Sequence, residues 1–480
     1  MPKFFLIIAA AALTLTACAG PTMNGMSGMH ASSALPTPTA TPHVGTRQPD
    51  VLTSRNGRLE VTLTAAESTL PYDGGQRWAM TYNGSVNGPT LVVRPGDELT
   101  VHLVNHLARP TSLHTHGLHV SPDVDNPFLM IEPGQEHTYT YEIPTTQQAG
   151  TYWYHPHVHE ITAEQVASGL SGAIIVQNDA DSALSTVSTD DVIVLTDPAL
   201  ASSNPWLRTS SGMGGMMGGA NGVDMMTAMA GRAGQRLLTN GQDGVSLAAQ
   251  PGMLQRVHVV NATASTRVVL SYTGASMLQL SASGGRLPEP VLAQTLTLDP
   301  GARTELVLVP SASGGSLYGQ RLSNEAGDNP IEQPKLIANV PASASTDTSV
   351  LPASMSANTR NLFAPDVKVD ATRTITLDGH MNPSIDGKLF DPNTVNFTAK
   401  KGTVEEWIIK SNSPMAHPIH LHTWPFQIQG ERGWTDEVTV EPNQTKVIRV
   451  AYDDFGGTTV IHCHILDHED TGMMAVIKVE

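Results

Sequence analysis

Apolar and polar residues alternate along short runs of this chain, and the runs recur. Pro95-Gly96-Asp97 opens Glu98-Leu99-Thr100-Val101-His102-Leu103-Val104-Asn105, where Leu99, Val101 and Leu103 alternate with Thr100 and His102. The same turn and alternation return as Pro251-Gly252-Met253-Leu254-Gln255-Arg256-Val257-His258-Val259-Val260-Asn261. A looser third copy begins at Lys401-Gly402 and reaches Ser411-Asn412. A second element also occurs three times, as Glu132-Pro133-Gly134-Gln135, Asp299-Pro300-Gly301-Ala302 and Glu441-Pro442-Asn443-Gln444, each opening another alternating stretch. Successive side chains on a strand face opposite ways, so this pattern predicts half-buried strands punctuated by turns. Copies that begin at residues 95, 251 and 401 predict three β-sandwich domains rather than a solenoid of short units. Ser-, Ala-, Thr- and Asp-rich linkers set their expected limits at 51–180, 181–350 and 351–480.

Composition sharpens this picture. Only 5% of residues are aromatic while Gly (42) and Pro (33) are plentiful, which suits many short strands better than long helices. A net charge of −17 argues against nucleic acid or anionic lipid as a partner and favours cationic ones. With only Cys18 and Cys463 present, and Cys18 in the leader, no intradomain disulfide is expected. The apolar run 4–15 after Lys3 is too short to span a bilayer and fits the core of a signal peptide. Leu15-Thr16-Ala17-Cys18 then resembles a bacterial lipobox. Residues 1–18 are accordingly expected to be a lipoprotein signal, with lipid anchoring on Cys18 in the periplasm or cell envelope; an ordinary cleaved signal is the alternative. Residues 19–50 read as a tether, with Met23, Met26, Met29 and His30 as soft donors within it.

The chemistry is concentrated in histidines. His462-Cys463-His464 follows an apolar run, so its two imidazoles share one strand face and the thiol takes the other. His468 and Met473 follow closely, and Cys, His and a weak Met are donors of an electron-transfer copper site that still lacks a second His. The two imidazoles on the opposite face need a metal of their own, which makes Cys463 a wire between two centres. His114-Thr115-His116, His155-Pro156-His157 and His420-Leu421-His422 supply three further pairs. The segment 181–350 contributes none, its one histidine being His258 within a repeat strand. Eight imidazoles converging from the first and third domains can hold three ions, whereas a structural zinc site wants a closed set of four ligands.

These four motifs, in this order, resemble those of the three-domain multicopper oxidases over residues 51–480. The resemblance implies an all-β chain of three cupredoxin-like Greek-key sandwiches carrying four copper ions. It implies a type 1 copper on His417, Cys463 and His468 with Met473 as axial ligand. It implies a type 2 copper on His114 and His420, and a type 3 pair on His116, His155 and His464 and on His157, His422 and His462. Electrons from a reductant would enter at the type 1 site and reduce O2 to water at the other three coppers. Glu469 would relay protons, or merely fix a histidine. Asp125 would orient water near the type 2 copper, or form a turn. Asp436 would lie beside the type 1 His and bind a cation or accept a phenol proton. His119 and His159 would be solvated or support ligands from behind. The segment 212–229, with six Met among glycines that oppose a helix or core strand, is either filler or a set of Cu(I) donors. The expected activity is therefore oxidation of Cu(I) in copper tolerance by a monomeric enzyme. A laccase-like oxidase of phenols and aromatic amines, or a surface protein that sequesters copper without turnover, are the alternatives.

Overall fold

The alternation seen in the sequence becomes strand burial directly. In a computed structural model, Arg58–Tyr72 begins as a strand whose residues are alternately exposed and buried, and along Glu98–His106 half-buried and buried residues alternate. The two run parallel in register, Arg58 opposite Glu98 and Leu63 opposite Leu103. The structure describes residues 49–72, 75–203, 230–248, 250–324, 329–353, 355, 360–379, 383–431 and 433–480. The leader, Cys18, the tether Met residues and the segment 212–229 lie outside them.

Six sheets form three pairs, built from strands within 51–176, 188–340 and 371–479. Strand neighbours are often distant in sequence, so the chain crosses between the sheets of each pair as a Greek-key sandwich does. Each sandwich closes on its own apolar core, around Leu63 and Tyr141 in the first, Leu270 and Leu306 in the second, Trp407 and Ile448 in the third. A further apolar cluster joins all three domains: Trp153 from the first, Val192 and Val260 from the second, Leu466 from the third. It lies beneath the histidine pairs, because Trp153 stands opposite His116 in the ladder and stacks on His155 at 4.2 Å. Among the described residues no helix is long and apolar enough to cross a membrane.

The repeat strand Leu254–Asn261 departs from the expected half-burial, since all eight residues are buried. Its outward polar side chains are covered by partners. Arg256 meets Asp181, Asp190 and Glu305, and His258 bonds Thr151 Oγ1 of the first domain and Asp190, each at 2.7 Å. Buried charges persist only when paired, and these are.

Candidate metal centre

Two strand ladders deliver the imidazoles. His114–His116 pairs with Gly150–His155, which sets His114 opposite His155. In the third domain His417–Leu421 pairs with Gly457–Cys463, which sets His420 opposite His462 and Ile419 opposite Cys463. The two ladders meet ring on ring across the domain boundary. His114 stacks on His422 at 3.7 Å and His116 on His420 at 3.6 Å, so the first histidine of each pair lies on the last of the other. His114 and His420 bring their Nε2 atoms to 3.3 Å. His462 Nε2 lies 3.1 Å from that of His422 and 3.4 Å from that of His157. His116, His155 and His464 gather with ring centres 4.9 to 5.8 Å apart.

All eight imidazoles are buried. Burial, aided by neighbouring imidazoles, pushes His114, His116, His422 and His464 well below the usual histidine range. It lowers His155 to about 3 and His157, against the pull of Glu469, to about 4. Rings kept neutral at physiological pH are metal-ready donors. Both nitrogens of His464, Nε2 of His155 and Nδ1 of His116 have no hydrogen-bond partner. Buried polar atoms are rarely left so, and a metal ion is what this donor set fits.

Behind the thiol lies a second group. Cys463 Sγ is 3.6 Å from His417 Nδ1 and 3.7 Å from His468 Nδ1, all three fully buried. Met473 is buried in the same apolar cluster, held there because Cys463 N–H donates to Met473 O at 3.0 Å. Burial pushes the Cys463 thiol up, so only a cation in this pocket would make it a thiolate. The short helix Leu466–Asp470 fixes the arrangement, each polar side chain serving a different neighbour. Asp467 accepts from Arg232 of the second domain, His468 faces the thiol, and Glu469 faces the histidines. Asp470 accepts the N–H groups of Thr162 and Ala163 at the start of a first-domain helix.

The carboxylates are placed more specifically than the sequence allowed. Glu469 Oε2 is 3.1 Å from His462 Nδ1 and Oε1 is 3.6 Å from His157 Nε2. Burial acts to raise Glu469, but those two imidazoles outweigh it and hold the group well below the usual carboxylate range. Asp125 sits in a turn, its N–H bonded to Ser121 O, and its Oδ2 grips His114 Nδ1 at 2.8 Å. That bond fixes the tautomer that leaves His114 Nε2 free toward His420. Burial raises Asp125 to about 7, with the Thr115 N–H and hydroxyl pulling the other way.

Asp436 corrects the expectation that it flanks the thiol site. Strand Glu437–Val440 runs antiparallel to His417–Leu421 with Glu437 opposite His420 and Val440 opposite His417. The register therefore carries Asp436 to the far end, where it lies 3.2 Å from His116 Nε2 and 3.5 Å from His420 Nδ1. Arg303 of the second domain, fully buried, clamps it through both guanidinium nitrogens at 2.8 and 2.5 Å. Arg303 pulls the Asp436 carboxyl far below its ordinary range despite burial. Gly117, at φ +88°, is required here, because a Cβ would collide with Arg303 Nη2 and Asp436 Oδ2. Sequence reasoning missed Arg303. The available signal was its position directly after Asp299-Pro300-Gly301-Ala302, where the sister elements carry Glu136 and Thr445. His119 ties Thr423 O and Asp454 of the third domain, at 2.7 and 2.8 Å, while His159 packs edge-on to Phe390. Neither joins a group of potential ligands among the described residues.

Family models described as multicopper oxidase match residues 64–181 and 362–480. The chain is 31% identical over 444 residues to the multicopper oxidase mco of Staphylococcus aureus, covering 88% of this chain and 89% of that one. It is 27% identical to the cell division protein FtsP of Escherichia coli, over 82% and 83% of the two chains. Among solved structures it resembles a multicopper oxidase from Campylobacter jejuni described as a metallo-oxidase, at 26% identity and a TM-score of 0.72, covering 92% and 98%.

Proposed function

The chain belongs to the multicopper oxidase family, and on that premise we propose that its electron donor is Cu(I), oxidised with O2 as acceptor in the service of copper tolerance. The observation that carries this choice is the segment 212–229, which holds Met213, Met216, Met217, Met225, Met226 and Met229. Thioethers select Cu(I) and release Cu(II), so they can collect the reduced ion and give up the product. The likeness to a protein described as a metallo-oxidase supports the same reading.

In this proposal His417, Cys463 and His468, with Met473, hold one copper, and His114 with His420 hold a second. His116, His155 and His464 hold a third, and His157, His422 and His462 a fourth. Copper, when bound, supplies one-electron chemistry and the four-electron reduction of O2 to water. The protein's part is to hold and connect. Cys463 links its own ligand group to the imidazoles of His462 and His464 through covalent bonds of adjacent residues. Asp125 keeps His114 in the ligating tautomer, and Asp436 with Arg303 holds His116 and His420 in place. Glu469, in contact with both His462 and His157, is the group positioned to hold a proton and pass it inward.

Deleting residues 212–229 tests the donor assignment. Cu(I) oxidation should fall while dimethoxyphenol oxidation stays equal or rises, on protein with matched copper content. Rates that fall together would make the segment structural. If neither rate moves, the phenol-oxidising reading replaces this one.

A further inference from the structure

A cavity of about 580 Å³ lies where the first and second sandwiches meet, remote in the chain from every histidine pair. Its lining includes two carboxylates, Asp50 and Asp243, yet buried donor atoms of three side chains in it, Arg77, Asn87 and Gln242, meet no acceptor. Arg77 is 4% exposed, yet its Nε and Nη1 have no hydrogen-bond partner. No carboxylate pairs with it among the described residues, and its guanidinium lies over the face of the neutral Tyr72 ring at 5.1 Å. Asn87 has committed its Oδ1 to the Ser171 hydroxyl at 3.1 Å, which leaves Nδ2 as an unfilled buried donor. Gln242 Nε2 from the second domain is likewise unfilled. The nearby Asp243 does not compensate Arg77, because it is engaged by Arg236 at 2.8 Å and by the Tyr72 hydroxyl at 3.1 Å.

An uncompensated buried guanidinium is costly, and cavities of this size lined by apolar walls and a few convergent polar groups are typical of small-molecule sites. Leu70 and Val86 supply apolar wall. The planar fork of an arginine matches a carboxylate, and the two amide donors can take its remaining lone pairs. We propose that this cavity binds a small organic carboxylate, with Arg77 as the anchor and Asn87 and Gln242 as flanking donors. The site is separate from the copper ligands, so its occupancy can be read without touching oxidase chemistry.

The test is calorimetric titration of the copper-loaded full chain with benzoate, its neutral analogue benzamide, and inorganic phosphate. Benzoate should bind saturably and benzamide at least ten-fold more weakly. Arg77→Gln should weaken benzoate about 10- to 100-fold, the range for a hydrogen bond to a charged group, with copper content and oxidase rate unchanged. Gln242→Ala should weaken it by a smaller factor and serves if Arg77→Gln does not fold. Equal affinity for benzoate and benzamide, or benzoate affinity unaltered in both variants, would overturn the proposal. So would the lack of saturable benzoate binding below about 50 mM, or phosphate binding in its place.

Discussion

His155-Pro156-His157 and His462-Cys463-His464 are the same device with one residue exchanged. In both, the first histidine turns its Nδ1 to the carbonyl of the middle residue, 2.8 Å to Pro156 and 3.1 Å to Cys463. In both, the outer imidazoles face the shared cluster. The middle residue decides the rest. Proline has no N–H, so that point of the first domain offers a neighbouring strand no backbone donor. Cys463 has one, and it holds Met473 O, so the chain that follows is drawn back along the ladder with its own ligands. A second group of potential ligands thus depends on a thiol and an N–H at one position, on a scaffold both domains share.

The sharpest break in this comparison is Cys463→Ser, which should abolish the blue absorption and nearly all oxidase activity. The eight imidazoles do not rely on the thiol, so metal analysis should find about three coppers per chain against about four in the parent. Retained blue colour would refute the assignment of Cys463. Next in size, Glu469→Gln should keep the copper and the blue band but slow reoxidation of the reduced enzyme by about 10²-fold, the lower end for a lost general acid. Reoxidation unchanged between pH 5 and 8 would leave Glu469 without a proton role. Arg303→Met should then weaken copper retention at the cluster by about 10- to 100-fold, while sparing the blue band. Asp436→Asn in the same background should restore part of the loss, because the stranded buried charge is removed. No rescue would mean that Arg303 acts other than through Asp436. The smallest effect is expected from Pro156→Ala, which leaves both imidazoles and the carbonyl contact in place. Its copper content and rate should match the parent within about 2-fold, since the change removes no ligand. A large loss would show that the rigid proline itself sets the pair.

The histidine pairs were legible in the sequence because an i, i+2 spacing on a strand turns both imidazoles to one face. The three sandwiches were legible because each repeat opens with the same turn. What could not be read was anything set by ladder register or domain contact. Asp436 lies five residues before Glu441 and close in sequence to nothing that marks its role; only the pairing of Glu437 with His420 carries it to the cluster end. Arg303 stands out in the sequence only by its place after Asp299-Pro300-Gly301-Ala302, and its partner Asp436 is set by the packing of the second domain against the third. The full burial of Leu254–Asn261 was hidden for the same reason, because Arg256 and His258 are polar on an alternating strand yet covered by partners from elsewhere.

The ring stacking between the first and third domains has a consequence in time. His114 and His420 approach to 3.3 Å across 306 residues of chain, and His157 and His462 to 3.4 Å across 305. A chain growing from its N-terminus can fold the first sandwich long before the other half of the cluster exists. No partial product can assemble the eight-histidine group, and a chain cut before residue 457 lacks both His462 and His464. Completion of the metal centre is therefore a late event in the life of each molecule, and a clasp that joins its beginning to its end. A metal ion that binds the joined group and not the open one would draw each complete chain toward the docked form.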